Sequence, residues 1–190
     1  MDSSRLRTDR LVLRRWRESD RDSFHDLNSD PAVMATIGPV MSRAGSDAFL
    51  NRIEERFDAT GFGLWCVEHE GDAVGFTGFM EPWFRGGVEI GWRIRSRYWG
   101  RGFATEAAEA CLEFAFRPRD DGGLGFEEVM SFTAVTNAAS RRVMEKLGMR
   151  RDPDGDFDHP GLPEGDPLRP HVLYRIRGVD RVRAGYGAGS

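Results

Sequence analysis

Arg97, Gly100, Arg101 and Gly102 are spaced to hold an anion. They stand between an alternating segment, with Val88, Ile90, Trp92 and Ile94 set against Glu89, Gly91, Arg93 and Arg95, and a helical run from Phe103 to Phe116. Alternation is the period of a strand, and the run after the glycines has helical spacing. A helix N-terminus presents free backbone N–H groups and the positive end of its dipole. Glycines just before it let a ligand approach the backbone, and the two arginines add positive charge. That is the chemistry of a phosphate or pyrophosphate cradle. No Lys-Ser/Thr pair follows the glycines, so this is not a P-loop. Thr105 stands where the dinucleotide fingerprint has its third glycine. Taken alone, the motif also fits an ordinary strand–helix turn.

A second constellation lies further on. A strand-like run, Val129 to Val135, leads into Thr136-Asn137-Ala138-Ala139-Ser140 and a helix to Leu147, with Gly148 as its stop. Asn137 is a natural helix cap, and Ser140 lies one turn on, on the same face.

The elements that must position these groups follow from periodicity. Arg10 to Trp16 alternates as a first strand, and Ser19 or Asp20 caps a helix over residues 20–29 that Pro31 ends. Ser46 to Ala59 carries Ala48, Phe49, Ile53 and Phe57 at helical spacing. Leu64 to His69 and Ala73 to Met80 flank Glu70-Gly71-Asp72 as a hairpin. His171 to Arg177 is a last strand. A meander followed by β-α-β predicts a mixed sheet with helices on its faces, in one domain over residues 1–178. Residues 179–190 read as a loose tail. Residues 151–170 form a long acidic stretch of poor periodicity, of the kind that is functional or disordered.

Composition narrows the classes. With 190 residues, 39% hydrophobic and 31% charged, this is a soluble globular chain of one domain. A net charge of −4 argues against a nucleic-acid partner. No apolar run reaches the ~18 residues of a membrane span, and the N-terminal residues lack the apolar core of a signal peptide. Cys66 and Cys111 have no metal-ligand spacing and read as free buried thiols, which places the chain in the cytoplasm.

Five segments together resemble the RimJ/RimL-type branch of the GNAT acetyltransferases. They are Leu6-x-Thr8-x-Arg10-Leu11-x-Leu13-Arg14, Tyr98-Trp99-Gly100-x-Gly102-x-Ala104-Thr105-Glu106-Ala107, Asn137-x-x-Ser140, Glu145-Lys146-Leu147-Gly148-Met149 and His171-Val172-Leu173-Tyr174. The resemblance implies a GNAT α/β (α+β) fold, with six to seven strands flanked by about four helices. It implies acetyl-CoA as co-substrate, a primary amine as acceptor (a protein N-terminus or a small molecule) and no metal, and it leaves room for a homodimer. Arg97, Tyr98, Trp99, Gly100, Arg101 and Gly102, with Phe103, Ala104 and Thr105, would hold the pyrophosphate. Trp92, Arg93 and Ile94 would pair with the pantetheine arm, and Asn137 would hydrogen-bond it. Ser140 would protonate the leaving thiolate, since no tyrosine occurs between Asn137 and Gly148.

The base remains open among Glu89, Asp158 and His159. Glu89 alternates with the apolar positions of its strand, where a carboxylate is ordinarily at the surface. Asp158 and His159 occupy the place of the carboxylate base in the RimL-like pattern, within a segment that departs from that pattern. Two other readings stand beside the enzyme: a non-catalytic CoA-binding module of the same fold, and an acyltransferase for longer chains, with Trp65, Trp83 and Trp92 shaping an acyl pocket.

Overall fold

The structure is a computed structural model that describes residues 5–180. Strands β1 (Arg5–Arg7) and β2 (Val12–Arg14) precede helices α1 (Arg21–Ser29), α2 (Pro31–Met34) and α3 (Arg43–Thr60). Then come β3 (Leu64–His69), β4 (Asp72–Met80), β5 (Glu89–Ile94) and α4 (Phe103–Phe116). After them run β6 (Glu128–Ala134), α5 (Ala138–Lys146), β7 (Arg150–Arg151), β8 (Phe157–Asp158) and β9 (Pro170–Arg177). This is the expected mixed α/β class with more pieces: nine strands and five α-helices among the described residues. The surplus lies in the short strands β1, β7 and β8. The residues of the expected tail from 181 on lie outside the described residues.

The chain forms two compact units. The first runs to Met80 and resumes over Gly91–Cys111; the second takes Glu81–Ile90 and continues from Leu112.

In the first unit β1, β2, β3 and β4 pair antiparallel in sequence order. The expected strand at residues 10–16 is a hairpin arm, Val12–Arg14, whose partner is Arg5–Arg7. Asp30 caps α2 by accepting from Ala32 N, with Pro31 in the first turn, so the proline opens a helix as well as ending one. On α3 the buried positions are Ser46, Leu50, Ile53 and Phe57, while Ala48 faces outward. That stripe meets Trp65, and Phe24 of α1 packs edge-on against Trp16 at 4.7 Å. Arg14 is buried between Asp20, at 2.7 Å, and Glu68, at 2.6 Å, so its charge is compensated on both sides. Gly75 lets β4 and β5 close up, because a Cβ there would stand 2.1 Å from the carbonyl oxygen of Arg93.

In the second unit Glu89 pairs parallel with Met130, and β6 runs antiparallel to β9 from Glu128 opposite Arg177 to Ala134 opposite His171. Both β7 and β8 add to β9. The acidic stretch 151–170 is folded here. Asp156 binds Arg151 and accepts from Leu173 N, and Asp152 binds Arg175 at 2.7 Å. These carboxylates are therefore ion-paired rather than merely solvated. No helix among the described residues is long and apolar enough to cross a membrane.

Candidate active site

The residues expected to hold the pyrophosphate and pair with the pantetheine arm, 92–105, lie in the first unit, and Asn137 lies in the second. After β5 the chain makes a single 3₁₀ turn, Ser96–Tyr98, closed by Tyr98 N and Trp99 N on the carbonyls of Arg95 and Ser96. Trp99 Nε1 donates to the Ile94 carbonyl at 2.7 Å, which folds the indole back onto the end of the strand. Gly100 and Gly102 adopt φ of +76° and +81° and are exposed. A Cβ on Gly102 would meet nothing nearer than Arg10 Nη2 at 3.6 Å, so the space before α4 is open. Glu106 N is the first amide to reach back, to the Gly102 carbonyl. The amides of Phe103, Ala104 and Thr105 thus belong to the free N-terminal turn.

The charges around this turn are sorted. Glu106 would oppose an anion here, but Thr8 donates to it at 2.5 Å and Arg10 Nε at 2.7 Å. Burial raises its pKa, yet these hydrogen bonds outweigh that and hold it below its ordinary value. Arg97 is exposed and shared between Tyr98 and Asp72. Arg101 lies over the rings of Tyr98 and Phe103, at 5.5 and 5.8 Å, and makes no ion pair among the described residues. A free guanidinium, open glycines and three free amides suit a pyrophosphate.

The catalytic candidates lie in the second unit. Asn137 caps α5, its Oδ1 accepting Ser140 N at 3.1 Å, and is 8% exposed. The cap engages only the carbonyl side and leaves the Nδ2 donors for a ligand. Ser140 is partly exposed at the first turn of α5.

Glu89 departs from the surface position its alternation implies: it is buried. It pairs with Met130 of β6 inside the second unit, where burial is set by the sheet and not by the period of the sequence. Burial alone pushes its carboxyl up to about 8.

Asp158 is exposed, 3.5 Å from Arg169. His159 packs among Phe84, Phe132, Phe157 and His171. Burial and the neighbouring His171 lower its pKa. Its Nδ1 accepts Gly161 N at 3.1 Å, so in the neutral ring the proton sits on Nε2. His171 has the opposite tautomer: Nδ1 meets the Arg169 carbonyl at 3.0 Å and must donate, leaving Nε2 as the lone pair. Among the described residues no hydrogen bond joins Ser140 to Glu89, Asp158 or His159.

His171 and Phe157 were not legible as a pair, because β8 is two residues long and its register on β9 is a tertiary fact. Trp65 is wholly buried against Phe57 and Phe79 in the core, and Trp83 is exposed. Cys66 and Cys111 are free and buried, and burial pushes the Cys66 thiol up to about 12. Neither is a nucleophile at neutral pH.

A strand, a glycine turn with free amides and a helix make a geometry that suits an anion. The family comparison gives the class: residues 10–150 match the acetyltransferase (GNAT) domain, and the chain belongs to that family. It is similar to an uncharacterized N-acetyltransferase, YnaD, of Bacillus subtilis, with 28% identity over 90% of this chain and 95% of that one. The crystal structure of a GNAT-family acetyltransferase from Bacillus anthracis superposes with a TM-score of 0.74 and 28% identity over 92% of this chain and 99% of that chain. RimL, a ribosomal L7/L12 α-N-protein acetyltransferase solved with coenzyme A, shares the fold at 18% identity, with a TM-score of 0.71 over 90% and 95% of the two chains. The protein is an N-acetyltransferase.

Proposed function

We propose that this enzyme moves an acetyl group from acetyl-CoA to a primary amine by direct attack within a ternary complex, as one domain of the RimJ/RimL-type branch. The observation that carries the reading is the turn from Arg97 to Thr105, with its open glycines, free amides and unpaired Arg101. Acetyl-CoA supplies an activated thioester when bound. The amides of the α4 N-terminus hold the pyrophosphate, and the backbone of Trp92, Arg93 and Ile94 pairs with the pantetheine arm. Asn137 Nδ2 donates to that arm. The free, buried thiols suit a reducing, cytoplasmic setting.

Glu89 takes the amine's proton. A carboxyl near 8 matches an α-amino group, whose pKa is also near 8, whereas lysine at about 10.4 would start roughly 3 kcal/mol uphill. The alternatives fit the task less well. His159 Nδ1 is already occupied by Gly161 N–H, and its Nε2 carries a proton. Asp158 is exposed and lies beside the Arg169 guanidinium. Incubation with acetyl-CoA and a panel of primary amines is expected to give one free thiol per acetylated amine by mass spectrometry. Coenzyme binding with no thiol release from any amine would leave a CoA-binding module instead.

Ser140 acts on the leaving side. The departing thiolate has a pKa of about 8.5 and needs modest help. Ser140→Ala is therefore expected to lower kcat by about 10- to 100-fold with acetyl-CoA affinity retained. Single-turnover rate and melting temperature on one preparation check this. A destabilised variant at full rate would reduce Ser140 to a packing residue.

A further inference from the structure

Arg93 is a charge without a counter-charge. Its Nη1 donates to Asn28 Oδ1, and its guanidinium lies over the Phe76 ring at 5.1 Å. Both partners are neutral. Asn28 is fully buried and spends its Nδ2 on Ser46 Oγ at 3.2 Å. Arg93 Nε is buried with no partner, and Nη2 makes no hydrogen bond among the described residues. Burial pulls the guanidinium down to about 10, and no neighbouring charge acts on it.

The acids on the surrounding elements are committed elsewhere. On α1, Asp26 holds Arg95 at 3.0 Å and Asp22 holds Arg43 at 2.6 Å. On α3, Asp47 is held by Arg43, Glu54 and Asp58 by Arg15, and Glu55 is exposed. On β4, Asp72 accepts from Tyr98. Elsewhere in the same unit the fold compensates a buried arginine fully, since Arg14 has both Asp20 and Glu68. A lone buried charge is destabilising beside an apolar residue of the same size. Asn28 fixes one side of the fork, and the Nε–Nη2 edge is left as two parallel donors. That edge matches a carboxylate bidentately. Arg93 as a whole residue remains partly exposed, while its Nε is buried.

We propose that the Nε–Nη2 edge of Arg93, braced by Asn28, Ser46 and Phe76, binds a carboxylate on the acceptor, so that the substrate is an amine that also carries an acid. Calling the ligand the acceptor rests on the acetyl-transfer reading; the carboxylate site itself does not.

The test measures product binding by calorimetry, with CoA present, for N-acetyl derivatives of glycine, leucine, phenylalanine and glutamate and for the α-amides of the same compounds. At least one free acid is expected to bind about 10- to 100-fold more tightly than its amide. Arg93→Met is expected to erase that difference. Asn28→Asp supplies the missing carboxylate internally and is expected to erase it too, with a melting temperature at or above wild type. Equal binding of acids and amides, no binding by any acid, or a preference that survives both substitutions overturns the proposal. A tenfold loss of acetyl-CoA affinity in Arg93→Met would assign the guanidinium to the coenzyme and overturn it as well. Acid binding that depends on Arg93 in a protein that acetylates no amine would keep the site and remove the acetyl-transfer reading.

Discussion

Glu89→Gln is expected to lower kcat by about 10²- to 10⁴-fold, the usual worth of a general base, while the protein stays folded. The amide fills the same volume and removes the ionisation. In the wild type, activity should rise with pH and level off above about 8, because only the ionised carboxylate accepts the proton. Stability should move the other way. The folded pKa, about 8, lies above the ordinary value of 4.5, so the folded state holds this proton more tightly than the unfolded chain. The contribution is fully present below pH 4.5 and is lost as pH rises through 8. The glutamine variant escapes that loss, and its melting temperature should exceed wild type by a growing margin across this window. A profile that instead breaks below 6.5 would point to an imidazole, since burial holds both His159 and His171 below that ordinary value. A glutamine variant at full rate would remove Glu89 from the chemistry.

The proposed coenzyme turn is readable because it is local. Helix α4 runs over Phe103–Phe116 as its spacing implies, and the glycines before it have the positive φ that such a turn demands. Asn137 caps α5 for the same reason, since a cap involves only residues three apart. The proposed acceptor side depends on partners distant in sequence. Glu89 alternates like a surface residue, and only its place beside Met130 makes it a buried carboxyl. The acids of 151–170 look solvated in one dimension, yet Asp152 meets Arg175 and Asp156 meets Arg151. Two-residue strands such as β7 and β8 carry no period at all, and their pairing to β9 comes from the register of that longer strand. Arg93 could be placed on its strand, but an absent counter-charge becomes visible only when the acids on α1, α3 and β4 have been assigned.

Gly102→Glu should abolish acetyl-CoA binding, with an affinity loss of at least about 100-fold, or roughly 2.7 kcal/mol. The substitution does two separable things. It puts a Cβ on a residue at φ +81°, a strain of about 1–3 kcal/mol, and it puts a carboxylate at the mouth of α4. Gly102→Ala carries the strain alone and is the control. The carboxylate itself is compatible with the fold, because a negative charge at a helix N-terminus is favourable and Arg10 Nη2 lies near the Cβ position. What makes the site welcome a phosphate makes it welcome the new side chain, which then occupies the free amides of Phe103, Ala104 and Thr105 and repels the pyrophosphate. Calorimetry with acetyl-CoA on both variants separates the effects: alanine should bind within several-fold of wild type, and glutamate should not bind measurably. Wild-type affinity in a folded glutamate variant would move the pyrophosphate away from this turn, and an equal loss in both variants would make the turn's conformation, rather than its charge, the determinant.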